Sequence, residues 1–404
     1  MGKGIVKLGE GNWAVKDGNL LAAKETNGRF KNAEFTVTRG TDATYVGKDG
    51  LIANETGDDT PRIDFTDNTD GHLLLEPQST NLIDYSESFE SPKWSRNGFD
   101  SDYGHQSPTG LNTATKITAT STDPYIYKDV NVTQNQTYTF SFYCKGEGSS
   151  VGKTGRVLFW YGNATATGSF ASHEFNLTNG WERIQFQTTP TGSGALTFRI
   201  DIPANTSEVG DVAYIWGAQV EALSYPTSYI PTSGLQVTRD AETCTGAGEA
   251  ADFNSEEGVL YAEIARSTVH NDYELLSISP TNNSDGTHYA SLGYNNTDNK
   301  LWIRAKIGNT VAIASIGEVD TVLNQFYKIA IKYKSGENAI YVNGEKLINT
   351  DITDGSEATT FTPTQNTISD LEFRHWDANQ PFYGKVKAIR VYKDASIDLA
   401  TLTS

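Results

Sequence analysis

Apolar and polar side chains alternate with a period of two along most of this chain, and helical periodicity is nearly absent. QTYTFSFYCKG from Gln136, TGRVLFWYG from Thr154, WERIQFQTT from Trp181, GALTFRIDIP from Gly194 and VAYIWGAQVEA from Val212 each read as a short strand bounded by Gly, Asn, Pro or Ser. A second series runs from GVLYAEIAR at Gly258 through KLWIRAKIG and QFYKIAIKYK to GKVKAIRVYK at Gly384. Within it, Asn343-Gly344 between two alternating runs is the signature of a type I′ hairpin. The pattern predicts an all-β protein: a jelly-roll type β-sandwich over residues 81–240, a Gly- and Ala-rich linker at 241–250, and a second β-sandwich over 251–404.

Residues 1–80 fit this scheme less well, because strand-like pieces such as AEFTVTRG are interleaved with NETGDDTPRIDFTDNTDG, which can bury little. They read as an extended N-terminal arm that gains order by packing on a partner or on the first sandwich. The stretch HLLLEPQSTNLIDYSESF, from His72 to Phe89, then reads as hinge and staple. Pro77 denies a ladder hydrogen bond, Asn81 satisfies nearby backbone groups, and Leu82, Ile83 and Phe89 fasten the arm to the sandwich beginning at Trp94.

Composition narrows the function. The 404 residues include 37 Gly, 20 Tyr, 17 Phe and 7 Trp, as short strands joined by turns require. A net charge of −18 argues against a broad electrostatic grip on nucleic acid or anionic membrane. No apolar run approaches a membrane span, and the first residues lack the apolar core of a secretory signal, so synthesis in a cytoplasm is expected. Cys144 shares its parity with Tyr138, Phe140 and Phe142 and is expected in a core, whereas Cys244 belongs to the linker; no disulfide between them is expected.

Catalytic and metal signatures are sparse. His72, His105, His173, His270, His288 and His375 are scattered, with no metal-ligand spacing, P-loop, nucleophile elbow or dinucleotide fingerprint. No cofactor or metal is expected. Calcium is the one ion that the acidic loops ETGDDTPRID and FTDNTDGH would suit, but they lack the spacing of a calcium loop and read as solvated turns.

Several ordered blocks resemble a family of phage virion proteins. They are FTVTRGTDATYVGKDGLI, PRIDF, LLLEPQSTNLIDYSESF, Trp94 and AYIWGAQVEALSYPTSYIPTSG, together spanning Phe35 to Thr238. The resemblance implies a head-fibre, head-spike or tail-fibre structural protein with a sandwich like a carbohydrate-binding module. It further implies location in the virion, a homo-oligomer expected to be a trimer, attachment to other virion proteins through the arm, and contact with surface glycans. The last domain is similar to concanavalin-A-like or laminin-G-like lectins and glucanases, on GVLYAEIAR, YKIAIKYKSGENAIYVNGEKL and FYGKVKAIRVYKDASIDLATL.

Sugar binding needs exposed rings beside hydrogen-bonding groups. The candidates are Trp160 and Tyr161, on opposite faces of one strand; Tyr125 and Tyr127, on the same face of another; and Tyr294, Trp302 and Trp376 in the last domain. A glycosidase of this kind would need a carboxylate pair. Asp370 and Glu372, with Asp377 further on, are the nearest match, but their spacing departs from the family pattern, and the reading here is non-catalytic. The rivals are a glycan depolymerase and a purely architectural capsid protein.

Overall fold

The structure, a computed structural model, describes residues 6–404 except 27–28, 56–58, 67, 162–170, 205–206, 271, 282–285, 309, 348–359, 363–366 and 378. The chain is all-β, and both expected β-sandwiches are present. In the first, the five-stranded antiparallel sheet Ser95–Asn97, Tyr125–Val132, Gly194–Asp201, Thr154–Tyr161, Ala171–Asn176 faces a second of five strands, Phe99–Gln106, Asn112–Ala119, Val212–Glu221, Tyr138–Glu147, Glu182–Thr188. Alternation puts Ile126, Phe140, Phe142, Cys144, Val157, Phe159, Phe198 and Ile215 between the sheets, in one core.

The second sandwich differs from expectation in one important respect. Its front sheet contains Thr310–Asp320, Lys300–Ile307, Tyr289–Tyr294, Glu274–Ser279 and Asp370–Glu372. Its back sheet has twelve strands, and residues 1–80 are built into it. Val6–Gly9 pairs with one half of Gly384–Tyr392, Val6 opposite Val391 and Gly9 opposite Ala388. His72–Leu75 pairs with the other half, Leu73 opposite Val386 and Leu75 opposite Gly384. Asn19–Thr26 and Arg29–Thr38 extend the sheet outward from Val6–Gly9.

The expectation of an extended arm is therefore corrected. Burial alternates along AEFTVT, with Ala33, Phe35 and Val37 inside and Glu34, Thr36 and Thr38 exposed. An apolar strand face of this kind gains by covering the same core as Leu260, Ile264, Leu276 and Ile389, and the pairing also closes an otherwise open sheet edge. Gly9 permits the approach. Its φ is +88°, and a Cβ there would lie 2.0 Å from the Lys387 carbonyl oxygen.

The segment 241–250 is not a free linker either. Thr243–Thr245 pairs with Arg29–Thr38 as the edge strand, and Cys244 and Ala247 are buried in the second core. Cys144 and Cys244 are both free thiols. Between these parts the chain leaves along Ser79–Asn81 and returns along Val237–Arg239, and the two strands pair antiparallel as a stalk. The first sandwich is thus an insertion within the second, which is assembled from both sides of it in sequence.

At the root of the stalk lies a buried ionic hub. Arg39, Arg62 and Arg239 are each 1% exposed or less, as is Glu242, and Glu76 is 6% exposed. Glu76 accepts hydrogen bonds from Arg62 Nη2 at 2.9 Å, Arg239 Nη1 at 2.6 Å and Ser228 Oγ at 2.6 Å. Glu242 accepts from Arg39 Nη1 at 2.7 Å, Arg62 Nε at 2.8 Å and the Glu76 backbone N–H at 3.0 Å. Burial alone would raise the Glu76 carboxyl, but Arg239 and Arg62 outweigh it and hold the pKa down to about 2.

Candidate functional site

One candidate ligand face lies on the outer side of the first sandwich. Tyr125 and Tyr127 stand two residues apart on one strand, so both point away from the core that buries Ile126. Their half-buried rings are 6.3 Å apart with planes at 36°. Register sets exposed Asn97 and Ser95 beside them on one side and Asp201 and Arg199 on the other.

The charged groups of this face are paired with one another. The Arg199 guanidinium lies 3.8 Å above the Tyr125 ring, donates to Asp123 at 3.0 Å and also pairs with Asp201. Arg156 Nη2 donates to Asp201 at 2.7 Å. Burial pushes the Asp201 carboxyl up, and the two guanidiniums counter that only in part. The result is an aromatic ledge on which Arg199 covers one face of Tyr125 and the neighbouring Tyr127 ring can stack on the C–H face of a pyranose, while the amide and hydroxyl groups beside it meet its hydroxyls.

The other candidates fare differently. Trp160 and Tyr161 lie in the strand Thr154–Tyr161, but their side chains fall outside the described residues. Tyr294 is a core residue, 1% exposed, donating from its hydroxyl to the Ile264 carbonyl at 3.1 Å. Trp302 and Trp376 do come together, with centroids 5.2 Å apart, and Trp376 stacks on Tyr289 at 4.0 Å and 2°. Trp302 is buried beneath this stack, and Trp376 is half-buried with its indole nitrogen against Gly286. The stack therefore acts mainly as packing on the front sheet.

The stapling residues lie inside the first sandwich and its stalk rather than against an arm. Asn81 donates to the Ala218 and Ile230 carbonyls and accepts from the Ile83 and Val220 N–H groups. Phe89 packs on Trp94 at 4.8 Å, and the Trp94 indole donates to the Tyr85 carbonyl at 2.8 Å. Leu82 packs against the same core, and the Pro77 carbonyl accepts from Arg239 at 2.6 Å.

Each candidate carboxylate is tied to neighbours. Asp370 accepts from Thr281 and Ser369, Glu372 takes a bidentate contact from Arg374, and Asp377 pairs with His375 at 2.6 Å. In the acidic loops, Asp59 caps the Arg39 N–H, and Asp64 accepts from Val46 and Thr66. Among the described residues no group of three or more His, Cys, Asp or Glu could hold a metal ion. Sequence parity missed Arg156, Arg199 and Asp201 as site residues; alternation in LTFRIDIP marks Arg199 and Asp201 as outward, but only the strand register puts them beside Tyr125.

Fold and outer faces define an all-β protein of two sandwiches, one inserted into the other. Residues 260–396 match the concanavalin A-like lectin/glucanases superfamily, about a third of the chain and within the second sandwich. Among curated proteins there is no match. Distant similarity extends to the CBM40 of Ruminococcus gnavus IT-sialidase bound to α2,6 sialyllactose, at 17% identity and a TM-score of 0.31 over 40% of this chain and 94% of that one. Domain 4 of a GH43 extracellular arabinanase from Geobacillus stearothermophilus gives 12% and 0.31 over 40% and 71%. A heptameric SAP-like pentraxin from Limulus polyphemus gives 13% and 0.28 over 39% and 70%.

Proposed function

We propose that this protein is a non-catalytic, glycan-binding structural subunit of a phage virion, a fibre, spike or decoration protein that displays lectin-like sandwiches to host or environmental glycans. The glycan reading rests on the Tyr125–Tyr127 ledge with its ring of paired polar side chains, and the lectin-superfamily match over residues 260–396 supports it. The virion reading rests on the sequence blocks resembling phage fibre proteins, from Phe35 to Thr238; their charged positions Arg39, Arg62 and Glu76 meet in the hub. A single ledge binds weakly, so several copies on one homo-oligomer, expected to be a trimer, supply the avidity.

The test is a glycan-array screen of the purified full-length oligomer, run with calcium and with chelator, beside a Tyr125→Ala/Tyr127→Ala variant. Reproducible binding that the double variant loses is the expected result. Clean absence of binding from a folded, multivalent preparation turns the assignment to the architectural subunit, which the burial of Tyr294 and Trp302 favours for the second sandwich.

A further inference from the structure

The other sheet of the first sandwich carries a second aromatic platform on its outer side. Register sets Lys116, Tyr214 and Lys145 side by side on three neighbouring strands, facing away from the core that holds Ile117, Ile215 and Cys144. Lys145 Nζ lies 4.8 Å from the centre of the Tyr214 ring and 5.1 Å from that of Trp181. Those rings meet edge to face at 6.4 Å, and the His105 ring touches the far side of Tyr214 at 5.4 Å. Lys145, Trp181, Tyr214 and His105 are each half-buried, so solvent reaches this notch.

The charges here are arranged unlike those around Tyr125. There, both guanidiniums are spent on carboxylates. Here the carboxylates are the occupied partners: Glu147 accepts from the Tyr214 hydroxyl at 2.7 Å, and Asp102 pairs with His105 at 2.9 Å. The Lys145 ammonium rests on two ring faces and forms no ion pair among the described residues; Lys116 forms none either, although register sets Asp102 opposite it. In a protein of net charge −18, an ammonium held over aromatic faces and left without a counter-ion is a place for an anion.

We propose that this face is a second carbohydrate site, selective for a carboxylate-bearing pyranose of the uronate or sialic acid kind. The sugar ring lies against Trp181 and Tyr214, its carboxylate pairs with Lys145, and Lys116 stands within the same row as a second cation. The proposal extends the glycan reading to a new face and does not depend on Tyr125 or Tyr127.

The experiment titrates the full-length protein with tetragalacturonate and with methyl α-N-acetylneuraminide, each against its carboxyl methyl ester, which keeps the ring and removes the charge. At least one acid is expected to bind ten-fold or more tightly than its ester and to shift the Trp181 indole N–H resonance. Lys145→Met keeps the aliphatic stem over the rings and is expected to erase that ratio; Trp181→Ala weakens acid and ester together. Equal binding of acid and ester, binding of neither, or a ratio that survives Lys145→Met with no Trp181 shift overturns the proposal. If neutral glycans still bind and depend on Tyr125, the general glycan reading survives that failure.

Discussion

Two residues carry unusual weight for their size. Arg62 bridges both hub carboxylates, so removing it leaves Glu76 and Glu242 buried with fewer partners, a situation that costs more than the ion pair itself contributes. Arg62→Met is expected to lower unfolding free energy by about 3–5 kcal/mol in urea titration. His72 sits in the strand paired with Arg62–Asp64, buried, with Asn68 on Nδ1 and Asp64 3.7 Å from Nε2. Burial, reinforced by Lys385 and Lys387, overrides the attraction of Asp64 and Glu76 and lowers its pKa from 6.5 to about 4.

The unfolded chain therefore binds a proton at His72 that the folded one refuses. Its contribution is complete above pH 6.5 and is lost as pH falls towards 4, on the order of 3 kcal/mol in all. Glu76 acts in the next window down, its contribution present above about pH 4.5 and lost towards 2. Melting curves across pH 7 to 4 are expected to flatten in His72→Gln relative to the parent. Most of this was hidden in the sequence, because isolated Arg and Glu in turn-rich segments read as surface residues until the chain brings them together.

For single elements, parity along a strand was legible and the identity of neighbouring strands was not. Tyr294 shares its face with Ala290 and Leu292, so its burial follows from HYASLGY alone. Trp302 shares its outward face with Arg304 and is buried because Trp376 and Tyr273, distant in sequence, pack their rings on it. The strand Val6–Gly9 is the sharpest instance, since nothing local tells that it pairs with Gly384–Tyr392. Gly9→Ala drives a methyl into the Lys387 carbonyl and is expected to cost roughly 2–4 kcal/mol. Gly152→Ala, at a similar φ of +86° but in open space, serves as the control and costs roughly 1–2 kcal/mol from backbone conformation alone. Comparable losses in the two variants, measured by chemical denaturation, would contradict the seating of Val6–Gly9 against the sheet.

At the scale of the whole molecule, the sequence made the two sandwiches visible and concealed their nesting. Linear reading divides the chain at 80 and 240, and those positions are close to the two sides of the stalk. What it could not give is that residues 6–75 return to the C-terminal core, because edge pairing is non-local and leaves no periodic mark. A fragment of residues 245–404 lacks the strands around Leu8, Phe35 and Leu73 and is expected to be insoluble or unfolded. Joining Asn81 to Val237 through a two-residue Asn-Gly turn, in place of the inserted sandwich, is expected to yield a soluble protein with a cooperative melt. Circular dichroism of both fragments decides the matter, and a well-folded 245–404 would refute the shared core.

The paired stalk also fixes how the molecule meets mechanical load. When the first sandwich is pulled away from the second, tension enters both crossings, at Asn81 and at Val237, from the same end. The two backbones then share the pull in parallel, and the hydrogen bonds between them are neither sheared nor peeled. The strain passes instead into the Arg62, Glu76, Arg239 and Glu242 lock at the root, where parting requires breaking buried charge-assisted bonds together.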